Sequence, residues 1–353
     1  MSILRAFALL AAAMLVAAGP RVHATRHVRR VSDGALPRTA RSGGGGGGGS
    51  SSSSSSSPTA LSFHGGSILA AGSGPLAVFV VTYGTAASFV SGATADVAAP
   101  LFFLANVAAK GVAVSPNWWQ LVSSGYDDRA SAFPAATVAL GGTVALLPRD
   151  VPSVSSPLTE SDVWTLVQAG VSKAAWKLDP AAFYVVMAGP NITQTLGGAS
   201  RFCTSFCGWH ASAGAIAFSF IGDPSACPSS CDVLHSTSGR GLSPNAWSWQ
   251  SNAMASILAH ELAESVTDPL ATGWFSRGGA ETGDICAWTF GSTATASGAC
   301  NGTSPCAPHN IVMGGIKLLV QQLVRQVPPK PAGTGAVAGT CSMCASATCP
   351  RPV

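Results

Sequence analysis

Leu76-Ala-Val-Phe-Val-Val-Thr-Tyr83, set between Gly74-Pro75 and Gly84, is a continuous apolar run rich in Val and Phe. A strand with one wet face alternates apolar and polar residues, so an unbroken apolar run marks a strand covered on both faces. Phe183-Tyr-Val-Val-Met-Ala188 is a second such run, and Ala215 to Ile221 a third. Segments with helical spacing lie between them. Ala95 to Ala109 is one, stopping at Gly111, and Thr159 to Ala175 is another, opened by the N-terminal signal Thr-Glu-Ser-Asp. Ser251 to Val266 is a third. Buried strands alternating with helices predict a single layered domain of the α/β (or α+β) class, spanning residues 61–327. The apolar run Ile316 to Val324 fits a helix or a strand equally well.

Outside that body the composition changes. Arg5 precedes the apolar run Ala6 to Ala18, and Val22-His23-Ala24 puts small residues where a signal peptidase reads, so residues 1–24 are expected to be a signal peptide. Residues 25–60 join a basic arm to a linker of Gly43–Gly49 and Ser50–Ser57, a composition that cannot bury apolar area and is expected to be disordered. Residues 328–353 are rich in Pro, Gly, Ala and Cys and read as an irregular tail that Cys341, Cys344 and Cys349 can staple. No later segment reaches the roughly 18 uncharged apolar residues of a membrane helix.

The net charge of +4 hides an asymmetry: residues 1–41 hold seven arginines and one acid, and the rest of the chain is slightly acidic. No basic face is left on the body to bind nucleic acid. Ten cysteines in a chain that follows the secretory route should be paired, which makes Cys203, Cys207, Cys227, Cys231, Cys286, Cys300 and Cys306 disulfide candidates whose connectivity the sequence does not give. Cys203/Cys207 and Cys227/Cys231 also have the spacing of a four-thiolate zinc site, an alternative the oxidising route disfavours. Asn191-Ile-Thr193 and Asn301-Gly-Thr303 are candidate glycosylation sites.

Charged residues make up only 10% of the chain, so a cluster of acids stands out. It begins at His260-Glu261-Leu-Ala-Glu264 and runs on through Thr267-Asp268-Pro269 to Glu281-Thr-Gly-Asp284. On a helix His260 and Glu264, four residues apart, project from one face. The pattern resembles the H-E-x-x-H helix of zinc peptidases with a carboxylate in place of the second histidine. Three of the chain's four glutamates fall in this stretch. Carboxylates gathered so closely repel one another unless a cation joins them. The expected ligands of zinc or another divalent cation are therefore His260, Glu264 and Glu281, with Asp268 and Asp284 at hand and Glu261 as general base. The plainer alternative is a solvated acidic helix face with His260 as a neutral bystander. His210 and His235 flank the cysteine loops, as outer ligands or as structural residues, and Trp118-Trp119 reads either as a sugar-stacking platform or as a core pair.

Taken in order, several segments resemble the EXORDIUM-like, or phosphate-induced protein 1, family of secreted plant proteins. They are Phe63-His64-Gly65-Gly66, the strand ending in Tyr83-Gly84, Trp118-Trp119, Leu158-Thr-Glu-Ser-Asp162, Phe183 to Ala188, Phe202-Cys203 to Cys207-Gly208-Trp209-His210, Ile221-Gly222 to Cys227-Pro228 and Cys231, and Gly314-Gly315 to Val320. The resemblance implies an apoplast or cell-wall location and a part in growth and in nutrient or hormone response, and it implies no particular reaction. The intact His260-Glu261-x-x-Glu264 departs from what many land-plant members carry, which favours a working metal site here. The expected protein is thus a wall- or matrix-associated member of this family, with cell-wall or matrix components as partners and a divalent-metal site. The alternative is a secreted, peptidase-like zinc metallohydrolase on the same fold. A weaker third reading is a carbohydrate-binding wall module using the tryptophans.

Overall fold

Five strands form the central sheet of the computed structural model: β1 Leu76–Tyr83, β2 Val138–Leu146, β3 Phe183–Ala188, β4 Gly208–Ala213 and β5 Ile216–Gly222. Their order is β2-β1-β3-β5-β4. All neighbours run parallel except β4, which turns back antiparallel on β5 with His210 opposite Ser219. The structure describes residues 60–69, 74–84, 97–128, 132–233, 242–295, 300, 306–326, 337–346 and 349–350. The expected signal peptide, residues 25–59 of the arm-and-linker stretch, His235 and Asn301 lie outside them.

Four longer helices accompany the sheet: α1 Ala98–Asn106, α2 Trp119–Gly125, α3 Glu160–Lys173 and α4 Trp249–Thr267. Helix α3 starts at Thr159 because Thr159 and Asp162 exchange hydrogen bonds as a capping box. The Ser248 hydroxyl caps α4 by accepting from the Ser251 N–H. Alternate residues of β1 and β3 serve two cores. Val78, Val80, Val185 and Met187 pack against α1 and α4, while Val81, Tyr184 and Val186 pack against Val163, Leu166 and Val167 of α3. Both faces are therefore covered, which is why the strands read as unbroken apolar runs. The class is α/β.

Two strands carry no such signal in the sequence. β2 is an edge strand whose residues alternate with solvent around Gly141-Gly142, and β4 is the opposite edge. The ambiguous run 316–324 resolves into two short strands, Ile316–Leu318 and Leu323–Arg325, with the polar Gln321 and Gln322 between them. Trp118 and Trp119 are almost fully buried, and their indole N–H groups donate to the carbonyls of Gln321 and Ala135 at 2.9 Å. They belong to the core, and the sugar-stacking platform is set aside because no ring face is open to solvent.

All ten cysteines are paired: Cys203–Cys227, Cys207–Cys231, Cys286–Cys341, Cys300–Cys306 and Cys344–Cys349. Five disulfides replace the four-thiolate zinc alternative. The C-terminal segment is attached to the body through Cys286–Cys341 and through backbone pairing. Thr340–Ser342 pairs with Leu323–Arg325, and Val337–Ala338 pairs with Ala60–Phe63, whose other edge takes Trp274–Ser276. Asn191 sits exposed on a turn with φ 67°. No helix among the described residues is long and apolar enough to cross a membrane.

Candidate functional site

The site lies where α4 passes under the edge strand β4. Sixteen of the nineteen residues of α4 are buried, so it has no broad solvated face. On one side it packs on the sheet beside α1, and on the other the segments around Glu281–Cys286 and Gln321 close over it. Its polar residues therefore meet partners inside the protein instead of water. His260 and Glu264 point together as their spacing predicts, with His260 Nε2 3.0 Å from Glu264 Oε2. Glu261, one step along, reaches the other way and meets the ring of His210 from β4, Nδ1 to Oε2 at 3.2 Å.

Two groups of donor atoms result, and each lies within 4.8 Å among its members: His260, Glu264 and Asp284, and His210, Glu261 and Glu264. Glu264 is common to both. Its Oε1 accepts the backbone N–H groups of Gly283 and Asp284 at 3.0 and 2.9 Å, which fixes the carboxylate and leaves Oε2 to face both rings. Gly283 is required for this approach, because a Cβ there would stand 2.8 Å from His260 Nδ1 and 2.9 Å from Glu264 Oε1.

Glu281 faces His210 and not His260: His210 Nε2 and Glu281 Oε1 stand 3.5 Å apart with no hydrogen bond between them, and neither atom has another partner. Asp268 belongs to neither group. It ends α4, and its Oδ1 accepts the N–H groups of Thr272 and Gly273 at 2.6 Å. His210 was legible only as a neighbour of the cysteine loops. Gln321 was not legible as a site residue, the one local sign being a polar pair interrupting an apolar run. Gln321 Nε2 donates to the Gly283 carbonyl at 2.7 Å and lies 3.0 Å from His260 Nδ1.

The electrostatics are those of crowded acids facing two imidazoles. Burial raises Glu281 well above the usual carboxylate range. Burial, then the charge of Glu264, pushes Asp284 up to about 8. Burial also raises Asp268. For His260 burial works against the charged ring, but Glu264 outweighs it and lifts the pKa to about 10. His210 is likewise held well above its ordinary value, burial opposing and Glu281 and Glu261 prevailing. Glu264 is lowered, because His260 overcomes its burial. A divalent cation could take the place of these protons.

A pocket of about 100 Å³ opens onto the cluster, lined by His260, Glu261, Asp284 and Gln321 with Phe206, Ile257 and Trp288 at its apolar side. Two sets of disulfides hold its walls. Cys203–Cys227 and Cys207–Cys231 fix the loop that leads into β4, and Cys286–Cys341 fixes the turn that carries Asp284.

The family described as phosphate-induced protein 1 conserved region matches residues 61–305. The protein EXORDIUM-like 5 of Arabidopsis thaliana is 24% identical over 252 residues, a match covering 66% of this chain and 65% of that protein. The chain thus spans just under two thirds of the length of that relative. No solved structure matches the chain.

Proposed function

The chain belongs to the phosphate-induced protein 1 family, and from that premise we propose that it is a secreted cell-wall or matrix protein acting in growth or nutrient response, whose buried histidine–carboxylate cluster binds a divalent cation such as zinc. Similarity to the EXORDIUM-like proteins supports an extracellular setting. Five disulfides are consistent with an oxidising compartment. The observation that carries the cation is Glu264, a carboxylate held by two backbone N–H groups and turned toward both imidazoles. Glu261, Glu264 and Glu281 find their ion pairs among the described residues only with His210 and His260. Buried carboxylates paired so sparsely are costly unless a metal joins them.

Protein collected from the medium of a secreting host tests this reading. Its N-terminus is expected near Thr25, or further in where the basic arm is trimmed. Purified without chelator, it should hold about one equivalent of zinc or a similar ion by mass spectrometry of the metal. Glu264→Gln should weaken binding at least ~100-fold, because Glu264 is a donor in both groups and even an outer-shell partner is worth 10–100-fold. Full metal content in Glu264→Gln, or none in the parent, would remove the cation. Hydrolysis of a peptide or ester panel by the parent would favour the metallohydrolase alternative instead.

A further inference from the structure

We infer that the cation is held by His210 Nδ1, Glu261 and Glu264, with Glu281 orienting the His210 ring from behind, and that His260 is a hydrogen-bond donor in the pocket and not a ligand. The inference rests on the cation reading and selects between the two donor groups. An imidazole that binds a metal through one nitrogen needs the other to carry a proton and donate it, most often to a carboxylate or carbonyl. The two rings differ on this point.

His210 is free to meet it, because each of its nitrogens faces a carboxylate and either can carry the proton. Its Nδ1 faces Glu261 Oε2 at 3.2 Å and Glu264 Oε2 at 3.8 Å, while its Nε2 faces Glu281 Oε1 at 3.5 Å. The ring is 7% exposed and Glu281 only 1% exposed, and the two facing atoms have no other partner. A proton on His210 Nε2, turned toward Glu281, leaves the Nδ1 lone pair directed between the two glutamates of α4. Glu261 and Glu264 are three residues apart on the helix, so both carboxylates can reach one point under the edge strand.

His260 does not meet it. Its Nδ1 lies 3.0 Å from the amide nitrogen of Gln321. Two backbone groups settle the orientation of that amide. The Trp288 N–H donates to Gln321 Oε1 at 3.0 Å, and Gln321 Nε2 donates to the Gly283 carbonyl at 2.7 Å. Turning the amide over would set N–H against N–H and oxygen against oxygen. Nδ1 of His260 must therefore accept, and the proton resides on Nε2, which donates to Glu264 Oε2 at 3.0 Å. A nitrogen that carries a proton has no lone pair for a metal. The same pattern belongs to a neutral ring, and a cation on the other side of Glu264 takes up the negative charge that would otherwise make His260 an imidazolium.

One imidazole and two carboxylates suit zinc and the neighbouring borderline divalent ions. Three protein donors leave a coordination position free. Of the three donors, Glu261 lines the pocket.

Zinc titration of the full mature protein separates the two groups. His210→Gln is expected to raise the zinc Kd at least ~100-fold, and Glu281→Gln and His260→Gln less, about 10–100-fold each as outer partners. Retention of zinc by His210→Gln together with its loss from His260→Gln would overturn the inference and leave the cation reading standing. A parent without zinc binding would overturn both. Because His210 is buried and its variant can fail to fold, the parent carries a second measurement. With 15N-labelled histidine, added zinc should shift Nδ1 of the ring assigned to His210, while in the zinc-loaded protein His260 carries a protonated Nε2 and a bare Nδ1. Loss of the proton from His260 Nε2 on adding zinc would overturn the assignment without any variant.

Discussion

Trp118→Ala is expected to lower the stability of the fold by about 3–5 kcal/mol, read from the urea midpoint of unfolding at constant slope. The side chain is 0% exposed and packs edge-on against Phe103 at 5.8 Å between ring centres. Truncation leaves a large cavity that packed neighbours cannot fill, and it removes the donor to the Gln321 carbonyl. The second loss reaches the site, since the Gln321 side chain spans Trp288, Gly283 and His260. Trp118→Phe keeps most of the volume and loses the donor, so it should cost clearly less. A Trp118→Ala protein as stable as the parent would contradict the burial.

The second large effect is a reversal of pH dependence on removing the metal. In the metal-free protein Asp284 titrates at about 8, against roughly 3.9 unfolded. Over that window the folded state holds the extra proton, so stability falls as pH rises. Glu281, raised by burial, acts in the same direction. His260, lifted to about 10, extends the decline upward from about 6.5, its stabilisation being complete only below that value. Glu264, lowered by His260, has the opposite sign but acts only below about 4.3, where its contribution is lost as pH falls. Chelated protein should therefore be more stable at pH 5 than at pH 8 by a few kcal/mol in denaturant titration. With zinc present the difference should shrink or invert, because the cation's charge offsets the carboxylates that hold those protons and it binds more tightly as pH rises. Chelated protein that gains stability from pH 5 to 8 would show that the carboxylates carry no such burden.

The buried strands were legible residue by residue, at Leu76–Tyr83 and Phe183–Ala188, because two-sided burial leaves a continuous apolar run. Helix α3 was legible from its capping residues. The edge strands β2 and β4 were not, since a half-wet strand broken by Gly141-Gly142, or short and mixed like Gly208–Ala213, has no such signature. The cluster was half legible for a related reason. His260, Glu261 and Glu264 share one helix, and Glu281 and Asp284 follow closely, so local spacing brings them to notice. His210 comes 51 residues before Glu261, and only the antiparallel return of β4 on β5 brings it over the helix. That return is a property of strand order, which local periodicity does not encode. Gln321 was hidden the same way, in an irregular link between two short strands.

The strand Ala60–Phe63 lies between Trp274–Ser276 and Val337–Ala338, so the opening, the late middle and the end of the described chain meet in one small sheet. Such a clasp cannot close on a growing chain. Its first strand must wait, unpaired, until the residues some two hundred positions later have been made, and the last strand arrives later still. Contacts between segments so distant are costly in loop entropy and slow to form. The order of synthesis therefore sets the order of folding: the sheet layers and helices can assemble as they emerge, and the clasp, with the Cys286–Cys341 bridge beside it, seals the molecule last. A chain halted before Val337 would present the Ala60–Phe63 edge bare, a ready site for pairing with a second unfinished copy.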